Sequence, residues 1–302
     1  MLSIFRIKTV CALLLAILSA GPAWAQSGNY RHEVVIYDNG QGINLSGPAG
    51  VSCDGERIIV ADTRNSRLLV YTLIEGVLSV DIETKLTRQI RPTTVQAGVD
   101  GDMLVYDSRG KELLRFNAAG TLSGKVVPEN VPGKSKVILK SFRVDSAGSI
   151  YLLDVFGRRV VVLDKTGAYI KQISFPAEFG FFSDLAVDDR GRVFILDSIQ
   201  SQVFTAAPEE DVFTPLSDSL RDDLAYPTHL EVDSSGLLYV VDEETSTIGI
   251  LRRDGSFAKR LFNRGRKEGL LYYPSQICVG DGSRLVIADR DNNRVQVFVE
   301  KE

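Results

Sequence analysis

A strand-like run ending in aspartate recurs along this chain at Asp62, Asp107, Asp154, Asp197, Asp242 and Asp289, at spacings of 45, 47, 43, 45 and 47 residues. A fixed period of this size marks a repeat architecture, which overrides the two-domain prior that length alone would suggest. The runs are rich in branched and aromatic residues: IIVAD at 58–62, IYLLD at 150–154, VFILD at 193–197, LYVVD at 238–242 and LVIAD at 285–289. A polar turn and a second β run follow, as in RLLVY at 67–71 and RVVVL at 159–163. Short runs bounded by turn residues, with no sustained helical period, read as strands.

Each copy divides into four strands. A short apolar run lies about ten residues before the aspartate, such as Leu185–Val187 or Leu230–Val232, followed by a turn at Gly101, Gly148, Gly191 or Gly236. An outer strand starts after a second glycine turn at Gly120, Gly167 and Gly255. A four-stranded unit cannot cover both of its faces alone; radial stacking covers them, and closing the ring removes exposed end blades. The last copy ends at Phe298 with only Val299 to Glu302 beyond it, so it lacks an outer strand. An orphan β run, His32–Tyr37, precedes the first copy. The expected fold is all-β: a six-bladed β-propeller of four-stranded antiparallel blades, its last blade closed by an N-terminal strand.

Residues 1–25 differ in kind. Arg6 and Lys8 precede the apolar stretch Val10–Ala20, Gly21-Pro22 breaks it, and Ala23-Trp24-Ala25 places small residues at the −3 and −1 positions of a cleavage site. This pattern predicts a signal peptide spanning 1–25, with the propeller occupying 26–302, and hence export to the periplasm or the extracellular space. No later segment approaches 18 uninterrupted apolar residues, so no membrane span is expected after cleavage. Loss of Arg6 and Lys8 leaves 33 Lys and Arg against 39 Asp and Glu, a net charge of −6. That balance does not suit a general binder of nucleic acid, which needs clustered Lys and Arg. Cys53 and Cys278 remain after cleavage, and an oxidising compartment permits their pairing. They lie in inner strands of blades 1 and 6, one register position apart. One sense of blade packing brings their faces together and the other separates them.

The copies resemble NHL repeats. Pro48-Ala49-Gly50-Val51-Ser52-Cys53-Asp54 follows the opening of that repeat, and Ala61-Asp62-Thr63-Arg64-Asn65-Ser66-Arg67 and Ala288-Asp289-Arg290-Asp291-Asn292-Asn293-Arg294 follow its turn. The resemblance covers about residues 45–298; blades 2, 4 and 5 depart from it, with Glu112, Gln202 and Thr247 in the place of the arginine. It implies a six-bladed propeller, no single activity, and macromolecular binding through one face of the disc.

The strand-ending aspartates read as structural groups that bind turn amides and a nearby Arg. Asp289 to Asn293 alternates oxygen side chains as a calcium loop does, but lacks the glycine and the bidentate Glu of an EF-hand. The only histidines, His32 and His229, lie far apart in the repeat map, and no Gly-x-Ser-x-Gly elbow or C-x-x-C pair is present.

The informative place is the ring of inner strands. Aligned on the aspartates, one ring position holds Gly50, Thr94, Ser141, Asp184, His229 and Gln276, and two residues on stand Ser52, Gln96, Arg143, Ala186, Glu231 and Cys278. Charges in such strands are kept only if paired or facing a water-filled channel. Arg143, Asp184, His229, Glu231 and Gln276 are therefore the candidate channel-mouth ligand-binding residues, either as a structural ion pair across the channel or as a polar pocket. Asp184 and Glu231 are the candidate metal ligands. No cofactor is predicted, although a divalent cation such as calcium could be held there. The leading expectation is a non-enzymatic scaffold or recognition module with a protein partner. The alternative is a metal-dependent lactonase- or lyase-like enzyme resembling the gluconolactonase-like group, acting on a small molecule at the channel mouth.

Overall fold

The computed structural model describes residues 29–133, 136–280, 282 and 284–301; the expected signal peptide lies outside these residues. The described chain forms six four-stranded antiparallel sheets. Their inner strands are Gly50–Asp54, Pro92–Ala97, Leu139–Val144, Phe182–Val187, Pro227–Val232 and Ile277–Gly280 in blades 1 to 6. The second strand of each blade is buried from end to end or nearly so, because both of its faces meet neighbouring blades. Outer strands meet solvent, as in Leu122–Val126, and in blade 4 the outer strand shrinks to Thr214–Pro215.

The core consists of one apolar cluster per blade seam. Leu153, Val160 and Val162 of blade 3 pack on Phe182, Ile195 and Phe204 of blade 4. At the closing seam, Val51, Val60 and Tyr71 of blade 1 pack on Val286, Ala288 and Val295 of blade 6.

Two devices close the ring. The strand Tyr30–Ile36 pairs antiparallel with Arg294–Glu300 and becomes the outer strand of blade 6, as expected from the orphan run. It begins two residues earlier than His32, and Tyr30 and Ile36 are buried at its ends. Glu33 adds an ion pair with Arg284 at 3.0 Å. The second device is a disulfide between Cys53 and Cys278, with a Cα separation of 5.9 Å across 225 residues of sequence. The one-position offset places the two sulfurs on facing surfaces of blades 1 and 6, which settles the packing sense. Restricting so long a loop stabilises a fold by roughly 5 kcal/mol in the chain-entropy account.

The strand-ending aspartates tie each blade to its incoming loop. Ser46, Arg91, Ile138, Phe181, Tyr226 and Tyr272 each donate a backbone N–H to an aspartate of their own blade, at 2.7–3.2 Å. In blades 1, 3 and 6 an arginine five residues on also pairs with the carboxylate: Arg67 at 2.6 Å, Arg159 at 3.2 Å and Arg294 at 2.7 Å. The segment Arg290–Asn292 is a hairpin turn of this kind, and Asp289 Oδ2 is engaged by Asn292, Arg294 and Gln296. No helix among the described residues is long and apolar enough to cross a membrane.

Candidate functional site

The inner strand of a blade is an edge strand, so one row of its backbone N–H and C=O groups has no partner within the blade and needs one elsewhere. Side chains of the preceding blade supply it. Ser52 Oγ accepts from Ala97 N at 3.0 Å, Asp184 Oδ2 from Leu230 N at 3.0 Å, and Gln276 Oε1 from Val51 N at 3.3 Å. His229 Nε2 lies 3.1 Å from the Ile277 carbonyl oxygen. The ring alignment explains this. Gly50, Thr94, Ser141, Asp184 and His229 each pair with the residue just before the strand-ending aspartate, and Gln276 accepts from Ala288 N at 2.9 Å.

Blades 3 to 5 place charge on this ring. Arg143, Asp184, His229 and Glu231 are brought together, as the alignment suggested; the side-chain oxygen of Gln276 serves the closing seam instead. Arg143 Nη2 donates to Asp184 Oδ2 at 3.0 Å and to the Leu230 carbonyl at 2.8 Å, and Arg143 Nη1 donates to the Phe142 carbonyl at 3.0 Å. His229 Nδ1 lies 2.6 Å from Asp184 Oδ2. The hydroxyl of Ser141, on the ring but not among the predicted site residues, donates to Asp184 Oδ1. It shares the ring position with Asp184 one blade on, which is the signal that would have singled it out. Glu231 Oε2 stands 3.8 Å from Arg143 Nε, which has no hydrogen-bond partner.

Burial alone would raise the Asp184 carboxyl. Arg143, His229 and the Ser141 hydroxyl outweigh it and hold the group well below the usual carboxylate range. Glu231 goes the other way. Burial pushes it up, and the pull of Arg143 and His229 does not compensate. Its side chain is 17% exposed, the most open acid of the cluster.

A group with a raised folded-state pKa stabilises the fold below its unfolded pKa and loses that contribution as pH rises through the folded value. The wild-type protein therefore gives up stability upward from the ordinary Glu value of 4.5 through the raised one. Glu231→Gln does not. Its melting temperature should exceed that of wild type at about pH 8 and match it near pH 4. An offset that is the same at both pH values would contradict this account.

Both oxygens of Asp184 are taken by donors, two of them cationic or ring groups, so the set does not fit a divalent cation. Among the described residues no group of His, Cys, Asp and Glu is arranged to hold a metal ion. The cluster can bridge blades 3, 4, 5 and 6.

Residues 271–298 match the family model of the NHL repeat, and the protein is an all-β, six-bladed propeller carrying that repeat in its last blade. No curated protein matches the sequence. Solved structures with a similar fold include a streptogramin B lyase, at 12% identity and TM-score 0.63 over 93% of this chain and 100% of that one. A virginiamycin B lyase from Staphylococcus aureus aligns at 10% identity and TM-score 0.62, over 89% of this chain and 99% of the other. A gluconolactonase from Xanthomonas campestris aligns at 12% identity and TM-score 0.66, over 91% of each chain. At such identity the likeness is one of fold.

Proposed function

We propose that this protein is an exported, non-enzymatic propeller that acts as a protein-binding scaffold or recognition module. The observation that carries the reading is the saturation of Asp184, whose oxygens accept from Ser141, Arg143 and Leu230 and face His229. The most polar point of the ring is thereby spent on joining blades, and the disc faces remain for recognition. The net charge of −6 without residues 1–25 favours protein over nucleic acid as partner. The Cys53–Cys278 disulfide fits an oxidising compartment, in keeping with periplasmic or extracellular residence.

A second reading is a metal-dependent lactonase- or lyase-like enzyme, supported by the propeller fold shared with a gluconolactonase and two lyases. Metal analysis of the purified protein separates the two. The scaffold reading expects no stoichiometric divalent cation and no rise in melting temperature on adding calcium. Bound metal that Asp184→Ala and Glu231→Ala both abolish would establish the enzyme reading instead.

A further inference from the structure

The six blades present equivalent positions on one face of the disc, so each copy is a control for the others. Two residues past the strand-ending aspartate stand Arg64, Arg109, Phe156, Ile199, Glu244 and Asp291. The residues whose amides the aspartates hold in blades 2 to 5 are Arg91, Ile138, Phe181 and Tyr226. Blade 2 has arginine in both places; blades 3 and 4 have apolar residues in both. The turn therefore does not demand an apolar side chain. Yet Ile138, Phe156, Phe181, Ile199 and Tyr226 are all exposed, from 38% for Phe181 to 77% for Phe156.

Phe181, Ile199 and Tyr226 lie on directly connected turns, and Phe156 and Ile138 occupy the equivalent positions of the neighbouring blade 3. Ile199 packs so closely over Gly180 that a Cβ at 180 would come within 2.7 Å of its own Cβ. The Ser198 amide donates to the Phe181 carbonyl at 3.0 Å, and the Ser198 hydroxyl donates to the carbonyl of Pro227, next to Tyr226. On the far half of the same face the equivalent turns are charged and paired, Arg64 with Asp291 at 3.8 Å and Arg290 with Glu243 at 2.7 Å.

The flank of the apolar half is basic. Lys140 Nζ lies 5.8 Å from the centre of the Phe181 ring, and the Arg158 guanidinium 4.9 Å from that of Phe179. On the neighbouring blade 2, Arg91 and Arg109 occupy the equivalent turn positions and are exposed. Clustered exposed apolar residues with charge at their rim are the mark of a docking site.

We propose that the face of blades 3 and 4 docks an acidic, apolar-anchored segment of a partner protein, with Phe156, Phe181 and Ile199 receiving the anchors and the Lys140 and Arg158 flank receiving the carboxylates. This inference rests on the protein-binding reading above. A photoreactive phenylalanine analogue placed at position 156, 199 or 64 of the full-length protein in living cells tests it. Adducts are expected from 156 and 199 but not from 64. The crosslinked peptide should carry Asp or Glu beside Leu, Ile, Phe or Trp. Lys140→Glu, which sets like charges against the acidic segment, should cut the yield from position 199 about tenfold.

Adducts from position 64 alone, or to a basic segment, would overturn the docking site while leaving protein binding in place. No protein adduct from any position would overturn both. Co-sedimentation with phosphatidylglycerol vesicles that Phe156→Ser abolishes would assign the face to a membrane and overturn the proposal. Polar residues stand at the turn position of Phe156 in blades 1, 2, 5 and 6, so that variant keeps the fold.

Discussion

Removing residues 26–37 should lower the melting temperature by roughly 10–20 °C. Tyr30 and Ile36 are buried by the closing strand, and each such side chain contributes about 2 kcal/mol. The ladder to Arg294–Glu300 is lost as well, leaving that strand as an unpaired edge. A loss of about 5 kcal/mol in a domain of this size corresponds to that shift. The disulfide still holds blades 1 and 6 together in the truncated chain. Adding Cys53→Ser and Cys278→Ser should therefore abolish folding, whereas either closure removed alone leaves a weakened ring. An unchanged midpoint after truncation would refute closure by the N-terminal strand.

Loss of one member of the Arg143–Asp184 pair should cost about 3–5 kcal/mol, since it leaves the other charge buried without its partner. Arg143→Met and Asp184→Asn, measured alone and together by chemical denaturation, form a double-mutant cycle. The double variant should be more stable than the sum of the single losses implies. Additive losses would mean that the two residues act independently. The Asp184 contribution carries its own pH signature. Because its folded-state pKa is depressed, that stability is present above the ordinary Asp value of 3.8 and disappears as pH falls through the lower one. The sign is opposite to that of Glu231, so acid should first relieve the ring and only later unfasten it.

The repeat was legible because six strand-ending aspartates each hold an incoming amide, which puts one residue type at one period. The ring register was legible for the same reason: fixed spacing from those aspartates orders the inner strands. Direction was harder. A side chain at the ring position reaches the next blade, and only the rotation between blades reveals that Arg143 meets Asp184 and that Cys53 meets Cys278. The docking face escaped sequence reading because Phe156 and Ile199 sit in turns. There no periodicity marks an apolar residue as out of place, and only the structural equivalence to Arg64, Arg109, Glu244 and Asp291 does so. The outer strand of blade 4, cut to Thr214–Pro215, carries too little pattern to be seen in advance.

Pairing the first strand with the last has a consequence for biosynthesis. Tyr30–Ile36 is made before every other described strand, but its ladder partner, Arg294–Glu300, is made after all of them. The disulfide likewise awaits a cysteine 225 residues downstream. Blades 1 to 5 can form one after another as they emerge, but the ring stays open, with the closing strand unpaired, until Arg294–Glu300 has followed. Contacts of such long range form slowly and leave the nascent protein exposed to aggregation. Ring closure is therefore the last step of folding, and the most vulnerable species is the nearly complete, unclosed ring.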